Sequence, residues 1–191
     1  RRKYGRAVDL YVDLLVRAGR SAEAESVIRT AIRGSLASTG PNSIVTTNHL
    51  LSLSNVLLAQ GRLKDAETIA GKIIGFHMAA GFSDTNTHKL KAHLVRARAL
   101  AGQNFWREAG AEFSFVYEAI GDQPSILMSS LKTSPAFGLA LSYSGNHVAA
   151  EKLLSSLVKF NRETLGEKSI TAALSRGALG VTLNRSGKKC R

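Results

Sequence analysis

The residues that could perform catalysis are scattered along the chain and form no catalytic constellation. His88 and His93 lie five residues apart, which turns them away from each other on a helix, whereas a zinc-binding helix carries its histidines four apart. Asp9 and Asp13 share a helix face at a spacing that could pair two carboxylates. Basic residues flank them on the same side, which favours a solvated charged face.

Serine and glycine motifs are equally uninformative about catalysis. No serine lies in the frame of a nucleophile elbow, and Gly71 and Gly75 fall inside a helical pattern instead of a strand-to-helix phosphate loop. We therefore expect no enzyme activity, no cofactor and no metal site.

One skeleton of positions recurs along the sequence and organises the elements. It has a turn residue, an alanine five residues later, and small or apolar residues nine and twelve residues after the turn. The four copies are Gly19, Ala24, Ile28, Ala31; Gly61, Ala66, Ala70, Ile73; Asn104, Ala109, Phe113, Val116; and Gly145, Ala150, Leu154, Leu157. A fifth turn residue is Gly187, and successive turns are 42, 43, 41 and 42 residues apart. Such a period is typical of stacked-repeat proteins.

The skeleton predicts helical hairpins that turn at each of these five residues. The positions five, nine and twelve residues after a turn share one helix face, so this face should be buried against neighbouring helices. Glycine or asparagine just after a helix favours the left-handed cap. In the third copy Gly102 competes with Asn104 for the turn, and Asn104 keeps the buried face in register.

This skeleton resembles the tetratricopeptide repeat (TPR), in which small residues lie where two helices cross. The usual TPR has about 34 residues, and a period near 42 is similar to the longer repeats of kinesin light chains and related bacterial TPR proteins. The segment Leu165–Ala172 also resembles the link between repeats in that subgroup. The resemblance implies an all-α fold, a right-handed superhelical solenoid of antiparallel helix pairs.

We expect a single solenoid domain over residues 1–191. The predicted repeats are 4–41, 42–84, 85–124, 125–167 and a truncated 168–191. Because the chain lacks an initiator methionine, we interpret it as a fragment of a longer protein. In the fourth repeat, Ser134 and Pro135 predict an N-cap and a first helical residue, preceded by a separate turn or helix over residues 125–131.

Composition narrows the class of protein and its partners. The sequence contains no run of eighteen apolar residues, so it predicts no transmembrane helix. The single Cys190 fits a reducing compartment, so we expect a cytoplasmic protein. The formal net charge of +12 favours association with anionic partners. An acidic protein segment, a nucleic acid and an anionic membrane surface are all compatible with it.

The resemblance to TPR arrays implies that the first helix of each repeat lines a concave surface that holds a peptide of a partner. The predicted binding residues are polar or basic side chains of those helices: Arg17, Asn48, Ser52, Asn55, Lys91, Arg98, Lys132 and Arg185. An asparagine amide both donates and accepts hydrogen bonds, so it can hold a peptide backbone, whereas Arg and Lys select acidic groups.

These observations predict a non-enzymatic protein–protein interaction module or scaffold, with an acidic or extended peptide segment as its partner. One alternative is a nucleic-acid-binding or regulatory helical repeat, because a basic solenoid can follow phosphates. Another is the sensor arm of a larger multidomain enzyme.

Overall fold

The chain is a succession of α-helices. The computed structural model describes residues 2–120 and 134–188, with side chains from residue 7, and this part of the chain contains no β-strand. The helices are α1 Arg2–Arg17, α2 Ser21–Thr39, α3 Ile44–Ala59, α4 Leu63–Ala79, α5 Thr87–Gly102, α6 Trp106–Ile120, α7 Pro135–Tyr143, α8 His147–Leu165 and α9 Ile170–Arg185. The predicted all-α class is confirmed.

The five predicted turn residues all adopt the left-handed backbone conformation. Their φ angles are 77° at Gly19, 74° at Gly61, 66° at Asn104, 93° at Gly145 and 76° at Gly187. At each turn this residue bonds the carbonyl three residues back, and the next N–H bonds the carbonyl five residues back. This pair of bonds is the Schellman motif, which satisfies the last carbonyls of a helix. The turn at Asn104 is therefore confirmed over Gly102.

A second kind of junction links consecutive hairpins. Gly40 and Gly166 end α2 and α8 with φ of 81° and 83°. Three residues later, Ser43 and Ser169 are the N-caps of α3 and α9, and their side chains accept hydrogen bonds from backbone N–H groups at 3.0 and 3.2 Å. Each serine therefore satisfies one of the free donors at a helix N-terminus.

The start of α7 agrees with the sequence pattern. Pro135 is the first residue of α7, as predicted from its position after Ser134. The predicted turn or helix over residues 125–131, the end of the third repeat at 121–124 and Lys132 lie outside the described residues. The repeat bounds and the continuity of a single domain stay predictions.

The first of two compact units spans Arg1–Ala99. Helices α1 to α4 pack in sequence, and α1 also packs on α3. One core cluster is centred on Leu15, Ile28 and Val56, and a second joins α3 and α4 to α5 through residues such as Ile73 and Ala92. The first helices of consecutive repeats are therefore neighbours in this unit.

The second compact unit spans Leu100–Arg191. Its helices α6 to α9 pack in sequence, and α7 also packs on α9. The rings of Phe113 and Phe137 lie 4.4 Å apart in its core. A Cβ at Gly138 would overlap the side chain of Leu154, so glycine is needed where these helices meet.

The alanine five residues after each of the first four turns is fully buried. The relative exposure is 0% for Ala24, Ala66, Ala109 and Ala150. The positions nine residues after the turn are buried as well: Ile28, Ala70, Phe113 and Leu154. The helix face predicted from the skeleton is therefore the packed face.

In each unit, an ion pair between the same two repeat positions joins consecutive repeats. Arg62 Nη1 lies 2.9 Å from Glu25 Oε1, and Lys188 Nζ lies 2.6 Å from Glu151 Oε2. Each cation follows a turn glycine directly, and each glutamate lies six residues after the preceding turn. The two ion pairs therefore join equivalent positions in their repeats.

Candidate peptide-binding surface

The predicted binding residues of α3 and α5 occupy equivalent repeat positions. Asn48 and Asn55 lie thirteen and six residues before the turn that follows them, and Lys91 and Arg98 lie at the same distances before theirs. A spacing of seven places each pair on one helix face. Asn55 is exposed and the other three are half-buried. The first unit therefore displays two amides and two cations at matched positions.

The two asparagines of α3 differ in the hydrogen bonds that their side-chain amides form. Asn55 Nδ2 donates to the Leu51 carbonyl at 3.1 Å, within the same helix. The side chain of Asn48 has no hydrogen-bond partner among residues 2–120 and 134–188. Asn48 thus retains donors and an acceptor for another molecule, and Asn55 retains its oxygen.

Ser52 contacts the neighbouring first helix. Its Oγ donates to Asp9 Oδ1 at 2.7 Å, and His49 Nδ1 lies 3.0 Å from the same oxygen. The His49 side chain is 5% exposed and that of Asp9 26%. Because Ser52 donates to the carboxylate and not to the imidazole, these residues lack the Ser–His–Asp relay of a hydrolase. They form an interhelical contact that joins α1 to α3.

The predicted cations have different surroundings. Arg17 forms an exposed ion pair with Asp13 at 2.9 Å on α1. Lys91 and Arg98 also interact within the chain. Burial lowers the pKa of the Arg98 guanidinium, because loss of water disfavours the charged form.

Arg185 lies on an aromatic side chain that the sequence interpretation did not single out. Its guanidinium is 4.1 Å from the centroid of the Tyr143 ring, and that ring is 5.1 Å from the ring of Trp106. Tyr143 and Arg185 each lie two residues before a turn glycine, so a comparison of equivalent positions would have found the pair. A guanidinium over an aromatic face is held by attraction to the ring quadrupole.

The described residues show neither a metal-binding cluster nor a membrane-spanning helix. Among them, no group of three or more His, Cys, Asp or Glu side chains could hold a metal ion. No helix in the described part of the chain is long and apolar enough to cross a membrane.

Two solved structures have a fold similar to that of this chain. Both are crystal structures of a Podosopora anserina putative kinesin light chain with nearly identical TPR-like repeats, one of them a single-residue variant. Each is 16% identical in sequence, with a TM-score of 0.72, over 95% of this chain and 86% of the other. No protein-family model and no curated protein sequence matches. The chain therefore has the TPR-like repeat fold, which is the fold of an all-α helical repeat array.

Proposed function

We propose that this protein is a non-enzymatic interaction module whose first unit binds an extended peptide segment of a partner along α3 and α5. The TPR-like fold suggests protein partners in general. The observation that carries the finer proposal is the half-buried Asn48 amide, which is unpaired among the described residues. A peptide backbone supplies both the donor and the acceptor that such an amide needs.

The spacing of the two asparagines suits an extended chain. Asn48 and Asn55 are two helical turns apart, about 10 Å along the axis. An extended peptide rises roughly 3.3 Å per residue, so this distance corresponds to about three residues. Asn48 and Asn55 can therefore contact backbone groups about three residues apart in one peptide.

The basic side chains of the candidate surface predict the charge of the peptide. On α5, Lys91 and Arg98 occupy the positions that the asparagines occupy on α3. We therefore expect acidic side chains of the peptide to lie toward α5, where attraction would speed association and weaken with salt.

A nucleic-acid partner is the alternative that the net charge of +12 leaves open. Single-stranded nucleic acids are commonly bound by stacking of bases on aromatic side chains. Neither α3 nor α5 contains Phe, Tyr or Trp. The composition of these helices thus supports a peptide over single-stranded nucleic acid.

Selection of peptides from a random displayed library on the 191-residue chain tests the proposal. Peptides that bind the wild type should bind roughly tenfold or more weakly to a double variant with Asn48→Ala and Asn55→Ala, since two hydrogen bonds of about 1 kcal/mol each are lost. The matched control replaces two exposed residues of α4, Lys64→Ala and Lys72→Ala, and should retain binding.

Unchanged affinity in the asparagine variant would overturn the proposed site. If no peptide is enriched, and the chain instead binds polyuridylate or duplex DNA with a steep salt dependence, the nucleic-acid alternative replaces it.

A further inference from the structure

A row of exposed apolar side chains runs along α9 in the second unit. Ile170 is 79% exposed, Leu174 61% and Val181 43%. Their spacing of four and seven residues places them on one side of the helix, and Arg185 continues the same side four residues later. We call these four residues the α9 ridge. Scattered apolar residues on a surface are ordinary, whereas an aligned row indicates a contact surface.

The α9 ridge occupies the repeat positions of the candidate peptide-binding surface. Leu174 and Val181 lie thirteen and six residues before Gly187, as Asn48 and Asn55 do before Gly61. In α3, which packs on α1, α4 and α5, Asn48 is half-buried and Asn55 is exposed. The ridge is therefore on the peptide side of the helix.

The residues of α9 that correspond to the packed side of α3 lie beside the ridge. Leu51 of α3 belongs to the cluster with α4 and α5, and its equivalent on α9 is Gly177. Ser54 on the same side of α3 corresponds to Gly180. Because the α9 residues at these two packing positions are glycines, the ridge supplies the aliphatic side chains of this part of the helix.

Arg185 gives one end of the ridge a fixed positive charge. Its guanidinium lies on Tyr143, which is itself 42% exposed, and forms no ion pair with the described residues. Helix α9 contains two arginines and no Asp or Glu. The charge complementary to this face is therefore negative.

The geometry points to an amphipathic helical segment of a partner protein as the occupant of the α9 ridge, with aliphatic side chains on Leu174 and Val181 and a carboxylate at Arg185. Aliphatic anchors spaced i, i+4 and i+7 are the usual way in which a helix binds an apolar surface. This inference rests on the proposed function only in taking the first helices as the binding side. It assigns the second unit an apolar partner segment that is distinct from the extended peptide of the first.

A designed probe peptide tests the inference by fluorescence anisotropy. The probe is an amphipathic helix with leucines at i, i+4 and i+7 and an aspartate one turn later, and its counterparts carry serine for leucine or lysine for aspartate. We expect the leucine–aspartate probe to bind the wild type at least tenfold more tightly than either counterpart. Leu174→Ser with Val181→Ser should abolish binding, and Arg185→Gln should remove the preference for aspartate over lysine.

Matched controls separate this surface from other apolar residues. Leu36→Ser with Met78→Ser changes two exposed side chains of α2 and α4 and should leave probe binding intact. Equal loss in this control and in the ridge variant would overturn the inference. So would a concentration-dependent dimer in sedimentation that the ridge variant abolishes, because the occupant would then be a second copy. The double variant with Asn48→Ala and Asn55→Ala should bind the probe normally, so either surface can fail without the other.

Discussion

In the first unit, Asn48 and Asn55 lie thirteen and six residues before a turn, and in the second unit the same positions carry Leu174 and Val181. The packing residues do not change in this way, because the alanine five residues after each of the first four turns is buried. A side chain between packed helices is constrained by close contact, whereas one on the open side is not. One scaffold can therefore display amides in one place and aliphatic side chains in another.

The units also differ in the polar groups that they bury between repeats. In the second unit, Asn161 Nδ2 donates to Ser175 Oγ at 2.9 Å. Between the turns at Gly61 and Asn104, the equivalent residues of the first unit, sixteen after a turn and twelve before the next, are His77 and Ala92. His77 is 1% exposed, and its Nδ1 has no partner among the described residues. An alanine offers no group to bond, so the histidine is left unsatisfied where the asparagine is not.

The largest expected effect comes from filling the shared packing positions. Ala66→Leu and Gly138→Ala should each lower stability by about 1–3 kcal/mol, because both sites lie where helices meet closely. Asn55→Ala, at an exposed position, should stay within about 0.5 kcal/mol. Chemical denaturation measures all three, and equal stability of Ala66→Leu and Asn55→Ala would show that this position is not a close contact.

The next largest effect concerns the turn that lacks glycine. Asn104→Ala should destabilise by about 1 kcal/mol, because alanine has no side-chain bond to offset the left-handed conformation at φ 66°. Asn104→Gly should be neutral or slightly stabilising. If alanine is tolerated as well as glycine in thermal melts, the turn in solution does not centre on this residue.

The two ion pairs that fasten repeats should differ in strength. Glu25 accepts hydrogen bonds from Gln60, Arg29 and Arg62, whereas Glu151 accepts one from Lys188. The bond from Gln60, followed by that from Arg29, lowers the pKa of Glu25. The stability that ionised Glu25 contributes is therefore present above pH 4.5, its ordinary pKa, and is lost as the pH falls through the lowered pKa.

At neutral pH, Glu25→Gln should cost more stability than Glu151→Gln, both within about 1 kcal/mol for such partly exposed groups. Urea denaturation at neutral pH compares the two variants. A larger loss for Glu151→Gln would reverse this part of the comparison.

The smallest expected effect is the pH dependence of the free energy of unfolding that His77 causes. Burial, followed by His88, Lys89 and His93, lowers the pKa of His77 below its ordinary 6.5. The unfolded chain then binds more protons near pH 6, so stability should be complete above pH 6.5 and should decline below it.

Nuclear magnetic resonance titration of the His77 ring measures this pKa in the wild type. His77→Leu should flatten the pH dependence of unfolding, and His147→Gln in the second unit is the control. A His77 pKa at or above 6.5 would contradict the environment described for it.

Much of the fold was predictable because the turns recur with one period. Each turn requires the left-handed backbone conformation, which glycine and asparagine adopt most readily. The pattern of residue types was therefore enough to predict the turns at Gly61 and Asn104. The packed face followed from helical spacing and did not require knowledge of particular contacts.

The individual contacts of the surface were less predictable. Ser52 was identified as a binding residue, yet its proton is used by Asp9, 43 residues away in sequence. Tyr143 was overlooked although it lies at the repeat position of Arg185. Helical spacing determines which residues share a face, whereas side-chain pairing across helices depends on distances that the pattern does not contain.

The claim that the first helices form the binding side is tested most directly by nuclear magnetic resonance mapping of a bound peptide. With the library-selected peptide, we expect the largest shift changes at Asn48 and Asn55, and with the leucine–aspartate probe at Leu174 and Val181. Changes confined to exposed residues of the second helices, such as Lys64, with none at these four positions, would contradict the claim.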